Sequence, residues 1–489
     1  MQGFVLRGDT AVEGVLVVLA PGSGAHDQVR YRGFQTDSDG SFDFKGVPAE
    51  DYLLFAVEDT EMEYANPAAV RRHLANARRV HIEAHEVTEG VEENKRQALK
   101  PGQPGRGPAA GQGARPTLSR YNRSSAMLRP DTPADLAFAL AAAAASSNLT
   151  ITLTGNNTKA LMAGPQHSSD IQISTSALNR VLKYEPADLT ISVEAGMLYR
   201  DLTTLLAENR QMIPLDPPFT ETATIGGILA SNTSGPRRRL YGAARDMVIG
   251  MTFATLEGKL VQTGGMVVKN VAGLDMGKLL IGSFGTLAAI ATVNFKLTPM
   301  PQGSRTFVSR FRRGDAAIAA REAILKSVLQ PAALDLLNTG DGFQLVAQAS
   351  GNEAVLDRWT RELASAQVVD GDEEQRLWTG IRETIPTFLA ANPEGAVVRV
   401  SCPLAEVGRV LEAMPPGSLA RAGTGVCYGL FRDVRNAQGR GLIDFAPHTF
   451  RERNELWPAP GSDFAMMEKV KSMFDPARLL NRGRLYGRL

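Results

Sequence analysis

The feature that most limits how this chain can fold is a break in it. Leu99–Thr117 reads LKPGQPGRGPAAGQGARPT, with no acidic residue, almost nothing to bury, and Gly or Pro recurring throughout. Gly-rich chain is flexible and Pro-rich chain extended, so no shared core crosses such a stretch. The 489 residues therefore split into a module over 1–97, a linker over 98–118 and a larger part over 119–489. That larger part is long enough for more than one core.

The first module reads as short strands between turns. GVLVVLA (Gly14–Ala20) is a buried strand, and VRYRGFQT alternates polar and apolar residues. In DSDGSFDFKGVPAEDYLLFAVED, Asp39-Gly40 marks a hairpin, Phe42 and Phe44 share a face, and Gly46-Val47-Pro48 breaks the run before Tyr52–Val57. Asp37, Asp39 and Gly40 lack the later ligands of an EF-hand loop and form a plain turn. This pattern resembles the carboxypeptidase regulatory-like β-sandwich, an accessory module without catalytic residues and often extracytoplasmic. The start MQGFVLRGDT has no charged segment followed by an apolar one, so a cytoplasmic location is expected.

Composition removes several functions. Lys and Arg total 53 against 52 Asp and Glu, which excludes a general nucleic-acid binder. The only cysteines, Cys402 and Cys427, supply neither an iron–sulfur cluster nor a disulfide framework. No apolar run approaches the ~20 residues of a membrane span, leaving at most peripheral association through partners.

The larger part opens with a helix in DTPADLAFALAAAAASS, capped by Thr132 with Pro133 first and Asp135 third, and with Leu136, Phe138 and Leu140 set among alanines. NLTITLTG follows as an alternating strand ending at Gly155. Directly after it, Gly155, Asn156, Asn157, Thr158 and Lys159 offer backbone N–H groups and short donors of the kind that cradle a diphosphate. The loop is neither a Walker A motif nor a GxGxxG fingerprint. A strand over Leu189–Glu194 breaks at Gly196, and a helix then carries Leu198, Leu202, Leu205 and Leu206 on one face. The stretch Thr222–Asp246, TATIGGILASNTSGPRRRLYGAARD, lets backbone approach something flat through Gly226, Gly227, Ala230, Ser231, Ser234 and Gly235. A further glycine-studded segment, Gly264–Pro299, contains Gly273, Gly277, Gly282 and Gly285 and ends in an alternating strand.

These pieces in this order resemble the FAD-binding domain of the vanillyl-alcohol oxidase / p-cresol methylhydroxylase (PCMH) superfamily, and within it the glycolate oxidase FAD-binding subunits. TGNNTKALMAGP, VEAGMLYRDLTTLL, PPFTETATIGGILASNTSGPRRRLYGAARDMVIG, VVKNVAGLDMGKLLIGSFGTLAAI and the closing VKSMFDPARLLNRGRL carry the likeness. It implies an α+β FAD-binding domain over 119–303, a ferredoxin-like α+β substrate cap over 304–460, and a segment over 461–489 returning to the flavin. The resemblance assigns the FAD diphosphate to Gly155–Lys159 with Gly164 and Pro165. It assigns the diphosphate and isoalloxazine side to Thr222, Ala223, Thr224, Gly226, Gly227, Ser231 and Gly235. Gly285 through Ile290 would meet ribose and adenine, and Asn481 and Arg482 the flavin ring. Asn156-Asn157-Thr158 stand where histidyl-linked relatives attach their flavin, which implies non-covalent FAD.

Catalytic groups are sparse. Relatives that oxidise 2-hydroxy acids use a metal-binding cluster of histidines and acids. Of the six histidines here, His26, His73, His81 and His85 precede the linker, leaving His167 and His448 without ligand spacing. LARAGTGVCYGLF (Leu419–Phe431) lacks the histidine that relatives show there, so no metal site is expected. His448, Tyr241 and Arg245 are the candidates for catalysis. Arg237, Arg238 and Arg239 compensate the diphosphate or an acidic substrate, or else form a solvated loop or a partner patch.

The reading is an FAD-binding subunit of a 2-hydroxyacid (glycolate) dehydrogenase complex. A second flavin subunit and an iron–sulfur subunit would carry electrons away. The alternatives are a self-sufficient FAD-dependent oxidoreductase, or a binding protein whose flavin domain has degenerated.

Overall fold

The structure is a computed structural model, and it describes residues 2–7, 10–11, 15–21, 32–36, 41–44, 51–57, 77–81, 127–146, 149–266 and 275–487. The Asp37–Gly40 and Gly46–Pro48 turns, His26, His73, His85, the linker and Gly273 lie outside those residues. Two compact units are present, Met1–Gly113 and Ala114–Leu489.

Among the described residues the first unit is all strand: β1 (Gln2–Phe4), β2 (Leu6–Arg7), β3 (Thr10–Ala11), β4 (Leu16–Pro21), β5 (Arg32–Gln35), β6 (Ser41–Asp43), β7 (Asp51–Val57) and β8 (Arg78–His81). They form an antiparallel sheet β5-β4-β7-β8 and the pairs β1-β6 and β2-β3. Val15 through Ala20 are all buried, as a continuous apolar run requires. Val17, Leu19 and Tyr52 pack with Phe42 and Phe44, whose rings meet edge to face at 5.8 Å.

The second unit begins with β9 (Met127–Leu128), helix α1 (Pro133–Ala145), β10 (Ile151–Thr154) and β11 (Ile171–Ser174). Thr132 caps α1, its hydroxyl accepting from the Asp135 N–H at 3.1 Å. Leu136 and Leu140 are buried while Phe138 faces outward, since a residue two positions on turns away from the buried stripe. Strand β10 does not alternate: Ile151 and Thr152 are both buried, because it runs parallel to β11 with α1 against it.

Strands β12 (Val181–Glu185), β13 (Thr190–Glu194), β15 (Val248–Ala254), β16 (Leu260–Gly264) and β17 (Ala289–Lys296) make an antiparallel sheet ordered β12-β13-β17-β15-β16. Every residue of β13 is buried, so both its faces are covered. Helix α2 (Tyr199–Glu208) buries Tyr199, Leu202 and Leu206 against this sheet. Leu198 precedes the helix as its N-cap. The short pair β14 (Gln211–Met212) and β18 (Thr298–Pro299) follows. Short helices α3 (Ile225–Ser231), α4 (Arg238–Tyr241), α5 (Ala244–Met247) and α6 (Met276–Leu280) lie between β14 and β17 in sequence.

The cap contains two ferredoxin-like halves. Its first half is β19 (Gly303–Phe311), α7 (Gly314–Lys326), β20 (Ala333–Asn338), β21 (Phe343–Gly351), α8 (Glu353–Glu362) and β22 (Gln367–Val369). Helices α9 (Gly371–Arg382) and α10 (Thr384–Ala391) lead to the second: β23 (Ala396–Ser401), α11 (Val407–Glu412), β24 (Leu419–Arg421), β25 (Val426–Phe431) and β26 (Leu442–Phe445). The eight strands run β22-β19-β21-β20-β24-β25-β23-β26. Each half is a βαββαβ arrangement, with a 3-10 turn at Val434–Ala437 replacing the last helix. The halves join antiparallel, β20 to β24, the second strand of each. The single ferredoxin-like cap read from sequence is thus a doubled one.

Helices α7, α8 and α11 cover one face of this sheet through Leu334, Leu336, Ala347, Ala420 and Cys427. Asp335, Arg421, Tyr428 and Arg399 alternate onto the other face, where cross-strand pairing sets Asp335 opposite Arg421 and Arg399 opposite Tyr428. The chain ends with α12 (His448–Arg451), α13 (Phe464–Phe474) and a tail. Among the described residues no helix is long and apolar enough to cross a membrane.

Candidate functional site

The β10–β11 connection is shaped from behind by two arginines. Arg484 donates to the Lys159 carbonyl at 3.0 Å, the Ala160 carbonyl at 3.3 Å and the Gly164 carbonyl at 3.4 Å. Arg451 donates to the Gly164 carbonyl at 2.9 Å and the Ala163 carbonyl at 3.4 Å. With these carbonyls held, the backbone N–H groups of Asn156, Asn157, Thr158 and Lys159 have no acceptor among the described residues. Consecutive unsatisfied N–H groups form an anion-binding concavity.

This loop borders a cavity of about 790 Å³. Gly155, Asn156, Asn157, Thr158, Lys159, Thr224, Gly226, Gly227, Ser231, Gly285, Ile290 and Asn481 all line it. Gly155 and Thr224 touch: a Cβ on Gly155 would fall 2.1 Å from the Thr224 Oγ1. Asn156 secures the same junction, its Nδ2 donating to the Thr222 carbonyl at 3.0 Å. Gly285 sits at φ +69°, a conformation other residues resist.

Other expected residues lie elsewhere. Ala223 is in the hydrophobic core, and Thr222 contributes its carbonyl to Asn156. Gly164, Pro165 and Gly235 are buried away from the cavity. Gly164 packs against the Gly483 carbonyl and Gly235 against the Asp216 backbone, and both contacts exclude a Cβ. Arg482 is exposed, and the tail arginine that reaches the cavity is Arg484, two residues on. Asn481 is occupied by the protein itself. Its amide accepts from the Leu153 N–H at 2.7 Å and donates to the carbonyls of Leu153 at 3.1 Å and Phe284 at 2.7 Å. It therefore fastens the tail to β10. Lining residues Gln166, Thr175, Ser283 and Phe284 carried no signal in the sequence.

The cations around this cavity are poorly compensated. Lys159 is 7% exposed, donates to the Thr158 hydroxyl at 3.2 Å and lies over the Phe219 ring. Burial pushes its ammonium down to about 7, with Glu383 pulling weakly upward. Burial also lowers Arg484 to about 9 and Arg451 to about 10. Apolar surroundings disfavour charge unless an anion offsets it. A diphosphate meets the cations and the free N–H groups together, so the residues fit FAD.

A second cavity, of about 1150 Å³, shares Ser231 and Phe284 with the first. It lies between the cap-sheet face that carries Arg399, Arg421 and Tyr428, on which α9 and α10 also pack, and the flavin-side loops. Arg238, Arg382, Arg399 and Arg421 line it, with Tyr428 and Asp444. Asp444 is the only carboxylate lining it among the described residues. The Arg399 Nε donates to the two Asp444 oxygens at 3.0 and 2.9 Å. Arg421 is paired to the fully buried Asp335. Burial raises both carboxyls, and the neighbouring guanidiniums oppose it.

The three consecutive arginines divide. Arg237 pairs with Asp216 at 3.3 Å, Arg238 faces the second cavity, and Arg239 lies over Gly423 of the cap. None of His448, Tyr241 and Arg245 lines either cavity. His448 is exposed beside Glu452 at 3.4 Å, Tyr241 is half-buried against the core, and Arg245 is exposed. His167 is exposed beside Gly483. Among the described residues no three His, Cys, Asp or Glu side chains gather as metal ligands.

Comparison with known proteins agrees with this geometry. A family profile described as an FAD binding domain matches residues 124–264, and one described as the C-terminal domain of FAD linked oxidases matches 459–485. The glycolate oxidase subunit GlcE of Escherichia coli is 27% identical over 355 residues, covering 71% of this chain and 95% of that protein. The glycolate oxidase subunit GlcD of Bacillus subtilis is 32% identical over 161 residues, 33% of this chain and 34% of that one. A D-lactate dehydrogenase of Anaerostipes hadrus is 28% identical over 191 residues, 39% of this chain and 40% of that one. The fold is that of alkyldihydroxyacetonephosphate synthase, with a TM-score of 0.55, 16% identity and coverage of 73% of this chain and 75% of that one. Fold, cavity and matches define a flavin-dependent oxidoreductase. The chain carries an FAD binding domain and the C-terminal domain of FAD linked oxidases, and its cofactor is FAD.

Proposed function

We propose that this chain is the FAD-binding subunit of a 2-hydroxyacid dehydrogenase of the glycolate oxidase type. The observation that carries the reading is the first cavity: four free backbone N–H groups and an undercompensated lysine, opening beside an arginine-lined chamber. The likeness to GlcE over nearly its whole length supports a subunit role.

Asn156–Lys159, with Thr224, Gly226, Gly227 and Ser231, hold the cofactor. No His, Cys or Tyr lines the first cavity among the described residues, which supports non-covalent attachment. FAD supplies the hydride acceptor. The arginines of the second cavity bind and orient the substrate carboxylate, since guanidinium matches it in two-pronged geometry. Asp444, positioned by Arg399, takes the hydroxyl proton as the hydride leaves the adjacent carbon. Burial keeps its carboxyl above the usual range, as a base for this step requires. Cys402 and Cys427 cannot hold a cluster, so electrons leave through a partner subunit carrying flavin or iron–sulfur centres.

The first test is the visible spectrum of the purified chain, repeated on the supernatant after acid precipitation, followed by anaerobic addition of 2-hydroxy acids. The expected result is released flavin and bleaching by substrate. Asp444→Asn should slow bleaching by ~10²- to 10⁴-fold with full flavin content. Flavin retained in the pellet would refute non-covalent attachment, and unchanged bleaching in Asp444→Asn would remove that residue from the mechanism.

A further inference from the structure

The four arginines of the second cavity are not equivalent. Arg399 and Arg421 have acid partners, Asp444 and Asp335. Arg238 and Arg382 are not matched in this way. Among the described residues Arg238 donates only to the Ser234 hydroxyl, at 3.3 Å. Arg382 donates to the Thr379 hydroxyl at 3.2 Å and stands 3.8 Å from Glu383. Both oxygens of Glu383 already accept from backbone, from the Phe219 and Thr220 N–H groups at 3.0 Å each. The Nε atoms of Arg382 and Arg421 are buried without an acceptor.

Among the described residues the chamber therefore has two arginines held by close carboxylates and two that are not, Arg238 open to solvent and Arg382 3.8 Å from Glu383. The second pair comes from separate walls, Arg238 from α4 on the flavin side and Arg382 from the end of α9 in the cap. A 2-hydroxy monocarboxylic acid brings one negative charge and satisfies one such group. A dianion meets both, each carboxylate forming its own charge-assisted pair.

We propose that the ligand of this cavity is a 2-hydroxy dicarboxylic acid, its carboxylates shared between Arg238 and Arg382. This rests on the hydroxyacid reading above and narrows it from small monocarboxylates to dianions. Shape follows as well as charge, because guanidiniums on two walls of the cavity favour a particular chain length.

The test uses the full-length, FAD-loaded chain and ligands that cannot be oxidised. Succinate, glutarate and 2-oxoglutarate are titrated beside acetate and butyrate, following the flavin difference spectrum and the thermal midpoint. One dicarboxylate is expected to bind at least ~10-fold more tightly than the monocarboxylate of equal length, as a second charge-assisted pair would provide. Arg238→Gln and Arg382→Gln should each erase that preference. Arg238 is exposed, so its variant keeps the fold and the comparison stays readable if Arg382→Gln does not. Equal binding of mono- and dicarboxylates overturns the proposal, as does a preference for 3-phosphoglycerate over every dicarboxylate. Dicarboxylate binding without flavin bleaching by any hydroxy acid would overturn the catalytic reading and leave this one standing. Bleaching by glycolate with no dicarboxylate preference would do the reverse.

Discussion

Around the Asn156–Lys159 loop the buried arginines face carbonyl oxygens, whereas those on the cap sheet face carboxylates. In the first region Lys159, Arg484 and Arg451 are all pushed below their ordinary ranges by burial. In the second, the Asp444 carboxylate raises Arg399 against the opposing effect of burial. Carbonyl dipoles fix a guanidinium in place without cancelling its charge, so the net field stays positive and awaits a permanent anion. Carboxylates cancel charge and leave a rigid, nearly neutral frame on which a few unmatched groups can select a transient ligand. A resident cofactor and an exchanging substrate call for these two different solutions.

The largest expected effect comes from unfastening the tail that closes the first region. Lys471 is buried and donates to Asp475 at 2.7 Å, the Thr286 carbonyl at 2.7 Å and the Leu480 carbonyl at 3.3 Å. Asp475 in turn accepts from the Leu479 and Leu480 N–H groups at 2.9 and 2.8 Å. Lys471→Met strands a buried carboxylate, and breaking such a pair costs about 3–5 kcal/mol. Chemical denaturation should show that loss, and gel filtration should deliver flavin-free protein, because Asn481 and Arg484 lose their mooring. Retention of flavin would mean that the tail is dispensable to the cavity.

Next in size is Lys159→Met. Removing one charged partner of a phosphate costs about 1.5–3 kcal/mol, or roughly 10- to 150-fold in FAD affinity by fluorescence titration. The flavin-free protein should be no less stable thermally, since the change also removes an undercompensated buried charge. Equal losses in stability and affinity would make Lys159 a structural residue and erase the contrast between the regions.

How much of this contrast was legible in the sequence differs sharply between the two regions. Gly155–Lys159, directly after a strand, and Thr222–Gly227, after a Pro-rich turn, are contiguous runs rich in small residues, and their chemistry is local, so they could be read directly. Arg484 and Phe284 could not, because nothing nearby in sequence separates Arg484 from Arg482 until the tail crosses β10. The arginine chamber was invisible for a stronger reason. Its members come from α4, α9, β23 and β24, and only the β20–β24 junction and the strand order bring them together. The doubled cap escaped for the same cause: its second half has no helix before β26, and the α9–α10 stretch gave no clear element in the sequence.

The proton on Lys159 yields a smaller and more specific effect. Its folded-state value of about 7 lies below the ~10.4 of an unfolded lysine. Between those values the unfolded chain binds the extra proton, so the flavin-free fold gains stability as pH rises through that window. Cofactor binding has the opposite sign. A diphosphate favours the ammonium, binding above about pH 7 takes up a proton, and affinity should fall by up to tenfold per pH unit there. Lys159→Met should flatten that profile. A flat profile in the unaltered protein would place the diphosphate away from this lysine.

The smallest change probes whether the two regions communicate. Glu383 holds the Phe219–Thr220 backbone, adjoins Arg382 of the second cavity and raises Lys159 of the first through its charge. Glu383→Gln keeps an acceptor for one of the two N–H groups and removes the charge, so stability should fall by about 1–2 kcal/mol. Without the negative charge Lys159 releases its proton more readily. The pH at which FAD affinity begins to fall should therefore move downward, by less than about one pH unit at this screened range. The same variant removes the carboxylate 3.8 Å from Arg382 and so should tighten anion binding in the second cavity. A shift in one profile without the other would show that the regions share a residue but not a field. Movement of both, in these opposite senses, would show that one carboxylate balances the cofactor site against the ligand site.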